Sequence, residues 1–109
     1  MKIKKFLLIF SFFFLLNIHT SFADEAKMVK GLEIFNETAG CAACHVLKAA
    51  GSEGNIGPNL DTVEGLNYDS VMDIVTHGLG VMPAFGEDEI LTKDQIDIVS
   101  FYVSNSVSK

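Results

Sequence analysis

Read from its first residue, the chain shows one unbroken hydrophobic block and then three periodic ones. The block is residues 6–16 (FLLIFSFFFLL), preceded by Lys2, Lys4 and Lys5 and followed by a polar stretch over 17–21. A positive start, a short apolar core and small residues at Ser21 and Ala23 form the layout of an export signal, with cleavage expected after Ala23. The core is shorter than the ~17 to 25 apolar residues a spanning helix needs, so no stable membrane span is expected once the signal is cut. The expected organisation is thus a cleaved signal over 1–23 and one folded domain over 24–109.

Beyond the signal, apolar residues at 28, 29, 32, 34 and 35 predict an amphipathic helix over 26–37, closed by Thr38-Ala39-Gly40. A second helix starts near Asn67, with Val71, Met72 and Val75 on one face and Gly78 and Gly80 stopping it. The third is introduced by Thr92 and Gln95 in capping-box spacing, and Ile96, Val99 and Val103, flanked by Ile98 and Tyr102, give it a broad apolar face. Residues 48–59, with Gly51, Gly54, Gly57 and Pro58, read as loop, and so do 78–89 around Met82-Pro83. No run alternates at the strand period, so the expected class is all-α with long connections. Loops of this size in a compact domain usually carry function.

Composition sharpens this picture. At 109 residues the chain has room for one domain. Its net charge is −6, and removing the signal takes away three lysines and no acid, which leaves −9. Six of the nine phenylalanines go with the signal, so the domain keeps only Phe35, Phe85 and Phe101. A small domain so poor in large apolar side chains gains from a metal, a cofactor or a cross-link. Such acidity argues against a nucleic-acid partner, because phosphate recognition rests on basic side chains. All eight basic residues are lysines, so no guanidinium fork is available to clamp an anion.

The chemistry concentrates in Cys41-Ala42-Ala43-Cys44-His45, the C-x-x-C-H signal for c-type haem attachment. Two thiols three residues apart can each form a thioether with one of the two vinyl groups of a single porphyrin. His45, next to the second thiol, is then carried beneath the ring as the proximal iron ligand. Haem attachment of this kind needs an exported chain, which the signal provides independently. Competing readings are weaker. A redox dithiol needs a βαβ context that is missing. A zinc site has only Cys41, Cys44, His45 and His77 to draw on, and a disulfide between Cys41 and Cys44 closes a loop of little entropic value. For the sixth iron ligand the candidates are Met28, Met72, Met82 and His77. Met28 and Met72 sit at helical spacing and suit a core. Pro83 forces Met82 toward extended backbone, which turns its side chain out of any helix. His77 is the rival, its alternative role being a solvated residue at a helix C-terminus. No paired carboxylates and no Ser/His/Asp spacing suggest hydrolytic chemistry.

These residues, in this order, resemble a class I monohaem cytochrome c of the short bacterial type. The resemblance rests on Gly31 and Phe35, Cys41 to His45, Gly57-Pro58-Asn59-Leu60, Met82-Pro83-Ala84-Phe85-Gly86, and Tyr102-Val103. It implies the cytochrome c fold, three to four helices with long loops wrapped around one covalently bound haem c. It also implies that Gly31 lets the first helix approach the last, and that Phe35 packs near Val99 and Tyr102. Pro58 is expected to offer its carbonyl to the free ring N–H of His45, Leu60 to pack on the proximal side of the haem, and Phe85 near Met82. Lys48 and Asn59 are the candidates to meet the haem propionates. Residues 36–40 are a longer segment than in the mitochondrial branch, and a loop common there is missing between Tyr68 and Met82. Cytochrome subunits of periplasmic dehydrogenases share both the Gly-Pro-Asn-Leu and the Met-Pro-Ala-Phe-Gly motifs.

The function so implied is a periplasmic one-electron carrier, with His45 and Met82 as the axial iron ligands and no enzymatic activity of its own. The alternative is a cytochrome subunit dedicated to a periplasmic dehydrogenase or other oxidoreductase. A third reading, with an open sixth position, is catalytic or gas-sensing. Partners are expected to be redox proteins with a basic docking patch, steered by the acidic charge, and the protein is expected to be a monomer. The acidic run Glu87-Asp88-Glu89 reads as a solvated face.

Overall fold

The computed structural model describes residues 22–107. Apart from Phe22 and Ala23, the expected signal lies outside the described residues. The first helix, α1, spans 22–33 and continues as a π-helical turn over Ile34–Thr38. Its buried strip differs from the apolar set read in the sequence. Ile34 and Phe35 are fully buried and Met28 is half-buried against the core, whereas Val29 is 69% exposed and Leu32 36%. Gly31 decides which side is buried. The last helix comes so near that a Cβ at Gly31 would stand 2.9 Å from Tyr102 Cγ and 3.1 Å from the Ile98 carbonyl oxygen. The strip that packs is therefore the one carrying Met28, Gly31, Ile34 and Phe35, and the Phe35 and Tyr102 rings meet with centroids 6.0 Å apart, tilted by 56°.

The other two helices start at capping boxes. α2 is Tyr68–His77, where the Asn67 side chain accepts from the Ser70 amide and the Ser70 hydroxyl bonds back to residue 67. α3 is Lys93–Ser106, with Thr92 and Gln95 in the reciprocal arrangement expected from their spacing. Each box satisfies amide groups that a helix start leaves without partners. α2 packs along α3, and their buried residues, Val71 and Val75 with Ile96, Val99 and Val103, join Phe35, Leu47, Phe85 and Leu91 in one core. One carboxylate ties all three helices. Asp97 on α3 pairs with Lys27 of α1 at 2.9 Å and accepts from the Tyr68 hydroxyl of α2 at 2.5 Å. The Tyr68 bond, helped by Lys27, holds the Asp97 carboxyl below its ordinary range, while the same bond pushes the Tyr68 hydroxyl up to about 12. Lys27 also lies 5.0 Å from the Phe101 ring centroid.

The long connection before α2 contains structure that the pattern did not predict. β1 (Val46–Leu47) and β2 (Ser52–Glu53) form an antiparallel pair, with Val46 opposite Glu53 and Leu47 opposite Ser52. Two residues per strand are too few to show an alternating pattern, and side-chain bonding stabilises the pair instead. The buried Ser52 hydroxyl accepts from the Leu47 amide at 2.9 Å and donates to the His45 carbonyl at 2.8 Å. Single 3-10 turns occupy Cys41–Ala43, Lys48–Ala50 and Leu60–Thr62. Among the described residues the architecture is the expected mostly helical one, three helices with long connections. Among the described residues, no helix is long and apolar enough to cross a membrane.

Candidate haem site

The site is built from the chain that leaves α1. Gly40 turns it with φ +70°, a left-handed geometry that glycine takes without strain, and Cys41–Ala43 follow as one 3-10 turn. The amides of Cys44 and His45 both donate to the Cys41 carbonyl, at 3.1 and 3.0 Å. Both thiols are free and half-buried. Burial pushes the Cys41 thiol up to about 11; its own backbone hydrogen bond opposes this, and the neighbouring Cys44 adds to it. A redox dithiol works with a depressed pKa that supplies thiolate, and burial moves the Cys41 thiol in the opposite direction. Gly54 passes so close beneath the turn that a Cβ there would lie 2.6 Å from the Ala42 carbonyl oxygen.

His45 is held from two sides. Its Nδ1 lies 2.7 Å from the Pro58 carbonyl oxygen, the contact expected from the resemblance. A carbonyl can only accept, so Nδ1 donates to Pro58, and Nε2 is the ring nitrogen that this bond leaves unused. The backbone of Gly57 lies against the imidazole, where a Cβ would come within 2.6 Å of Cε1 and 3.2 Å of Nε2. The Gly57 amide in turn donates to the Cys44 carbonyl at 2.7 Å. Asn59 caps the following turn by accepting from the Asp61 amide at 3.0 Å, and Asp61 accepts from the Lys48 amide at 2.8 Å. Of the two propionate candidates, Lys48 is therefore exposed and tethered through its backbone, and Asn59 has its side-chain oxygen engaged locally. Leu60 is half-buried and packs on the core.

Met82 comes from the other connection. Gly78 ends α2 at φ +75°, and the next residues fold into a tight turn in which Met82 donates to the Leu79 carbonyl at 3.0 Å. Met82 is half-buried against the core, followed by the buried Phe85, whose amide donates to the Val75 carbonyl of α2 at 2.9 Å. Met28 and Met72 also touch the core, from within α1 and α2. His77 is placed differently. It is exposed, with Nδ1 2.6 Å from Glu87 Oε1 and Nε2 3.7 Å from Asp73 Oδ1. The Glu87 bond raises its pKa, with smaller help from the Asp73 charge. Both ring nitrogens thus face carboxylates at the surface, while the Met82 side chain packs inward. The donor set fits a covalently attached haem: two free thiols three residues apart on one turn, an imidazole with one ring nitrogen not bonded to Pro58, and a thioether packed against the core.

Sequence reasoning missed three supports of this site. Ser52 is an ordinary-looking serine, and nothing in its neighbours signals a buried hydroxyl shared by His45 and Leu47. Asp61 likewise gives no sign of its bond to Lys48. The glycines at 54 and 57 were visible as loop formers, but their role here is to admit backbone against the Ala42 carbonyl and the His45 ring.

Comparison with known proteins bears on the family and the fold. Residues 26–103 match the family described as cytochrome c oxidase, cbb3-type, subunit III. Cytochrome c6 of Gloeothece citriformis (strain PCC 7424) is 34% identical over 97 residues, covering 84% of this chain and 81% of that protein. Cytochrome c6 of Rippkaea orientalis (strain PCC 8801 / RF-1) is 32% identical over 103 residues, covering 88% and 84%. The crystal structure of the c-type cytochrome SorU from Sinorhizobium meliloti is 42% identical in sequence and superposes with a TM-score of 0.68, covering 76% of this chain and 93% of that one. The chain belongs to the class I monohaem cytochrome c family. Membership brings with it covalently bound haem c and a role in electron transfer.

Proposed function

We propose that the protein is a periplasmic one-electron carrier, exported by residues 1–23 and cut after Ala23. In this reading Cys41 and Cys44 hold one haem c through thioethers, and His45 Nε2 and Met82 sulfur are its axial ligands. The observation that carries it is the His45 ring, fixed by the Pro58 carbonyl at 2.7 Å and by Gly57, with a single nitrogen left to donate. The bond to Pro58 orients the ring and raises its basicity as a ligand. When bound, the haem supplies an iron that cycles between Fe(III) and Fe(II), and a thioether ligand favours the reduced form relative to a second imidazole. Leu60 and Phe85 line the pocket, and with both axial positions filled no place remains for a substrate. The acidic surface selects partners with a basic patch in brief encounters that slow as salt rises. The test is the sulfur-to-iron charge-transfer band of the oxidised protein. It should be present in the wild type and absent in Met82→Ala, and a wild type without it would overturn the axial assignment.

One observation favours a second reading, a cytochrome subunit bound stably to a periplasmic oxidoreductase: the matched family is described as an oxidase subunit. Recovery of the protein with a larger oxidoreductase at equal stoichiometry would decide for the subunit. Recovery as a free monomer would decide for the carrier.

A further inference from the structure

Of the acidic run Glu87-Asp88-Glu89, only Glu87 has an ion-pair partner among the described residues, and that partner sits across the Met82 loop. The loop leaves α2 after His77 and returns to it immediately. The Gly86 and Glu87 amides both donate to the Thr76 carbonyl, at 3.2 and 3.1 Å, and the Gly78 amide donates to the Ile74 carbonyl at 2.7 Å. His77 and Glu87 therefore flank the two ends of the excursion that carries Met82, and their side chains close it at 2.6 Å. The tip contributes little burial to its own hold, since Leu79 is 69% exposed and Val81 91%. A contact that spans the base therefore adds to the backbone bonds and the buried Phe85 in setting how firmly the tip is held.

We propose that His77 and Glu87 form a proton-dependent clasp on this loop, so that the hold of Met82 on the haem iron weakens as pH rises. The inference rests on the reading of Met82 as axial ligand. The groups facing His77 all favour its cationic form. From α2 itself come Asp73 at 3.7 Å and the carbonyl end of the helix, and from the returning segment come Glu87 at 2.6 Å and Asp88, which lines the same open hollow. A protonated imidazole gives Glu87 a charge-assisted bond, and a neutral one gives it a weaker bond. Because the pKa is raised in the folded protein, the clasp is fully closed below the ordinary histidine value and loosens as pH climbs through the raised one. His77 and Glu87 are positioning residues here, acting on the iron only through the loop.

The test uses the ferric holoprotein and imidazole, counted as free base, as a probe that binds when Met82 lets go; loss of the sulfur-to-iron band reports displacement. In the wild type the apparent affinity for imidazole should rise from pH 6 to pH 9 by about two- to fivefold, the range an exposed ion pair sustains. His77→Gln and Glu87→Gln should each give a flat profile at the high-pH value, and the double variant should add nothing to either. If His77→Gln keeps the wild-type profile, the clasp is overturned while Met82 ligation stands. Absence of the band from the wild type at every pH overturns both.

Discussion

The two connections that build the site are held in opposite ways. The proximal one, from Gly40 to Thr62, is pinned by side chains bonded to backbone: His45 to Pro58, Ser52 to His45 and Leu47, Asp61 to Lys48, and Asn59 to Asp61. The distal one, from Gly78 to Leu91, is anchored by the buried Phe85 and Leu91 and by backbone bonds to the last turn of α2, but its tip has only a tight turn at Leu79 to Met82 and one exposed ion pair at its base. It also contains Glu89 at φ +55°, a left-handed backbone that a side chain makes costly. The lesson is a division of labour. The side that holds the His45 ring is over-determined, while the side that carries Met82 is left free to yield.

Breaking each side should therefore fail differently. Gly57→Val is expected to have the largest effect, because a branched side chain there must enter the His45 ring, whose Cε1 lies 2.6 Å from the position of Cβ. Little or no covalent holoprotein should accumulate, as read by haem staining after denaturing electrophoresis, whereas Met82→Ala should stain fully and lose only its spectral band. Equal staining of the two variants would erase the distinction. Ser52→Ala comes next. It strands the His45 and Leu47 backbone groups that the hydroxyl serves, and should cost about 1–3 kcal/mol in denaturant unfolding. Tyr68→Phe is the mildest, about 1 kcal/mol at neutral pH, since Lys27 remains on Asp97. Its acid dependence carries a sign. The Asp97 carboxyl is depressed in the folded state, so its contribution is present above the ordinary carboxylate value and lost as pH falls through the lowered one. The gap between wild type and Tyr68→Phe should narrow in acid, and a gap that widens there would refute the assignment.

Much of the scaffold was legible because it is written in local rules. Thr92 with Gln95 marked the start of α3, Asn67 the start of α2, and Cys41 to His45 the site, each within a few residues. The bond from His45 to Pro58 was legible only through family resemblance, since thirteen residues separate its partners. What stayed hidden depends on tertiary approach. Val29 and Leu32 fit the helical period and yet face water, because the contact at Gly31 chose a different strip. The two-residue ladder at Val46–Leu47 and Ser52–Glu53 is too short to leave a pattern. His77 read as a rival iron ligand or a solvated helix end, and its pairing with Glu87 depends on the loop folding back on α2.

The close approach at Gly31 has a consequence for cooperativity. It joins the first and last helices of the domain, so the whole haem segment and the Met82 loop lie inside a circuit closed by one helix crossing. The entropy lost in closing such a circuit grows only slowly with its length, and every interaction formed within it benefits from that single closure. Loosening the crossing would release both connections together. A contact far along the chain from both His45 and Met82 thus bears on the two unlike halves of the site at once.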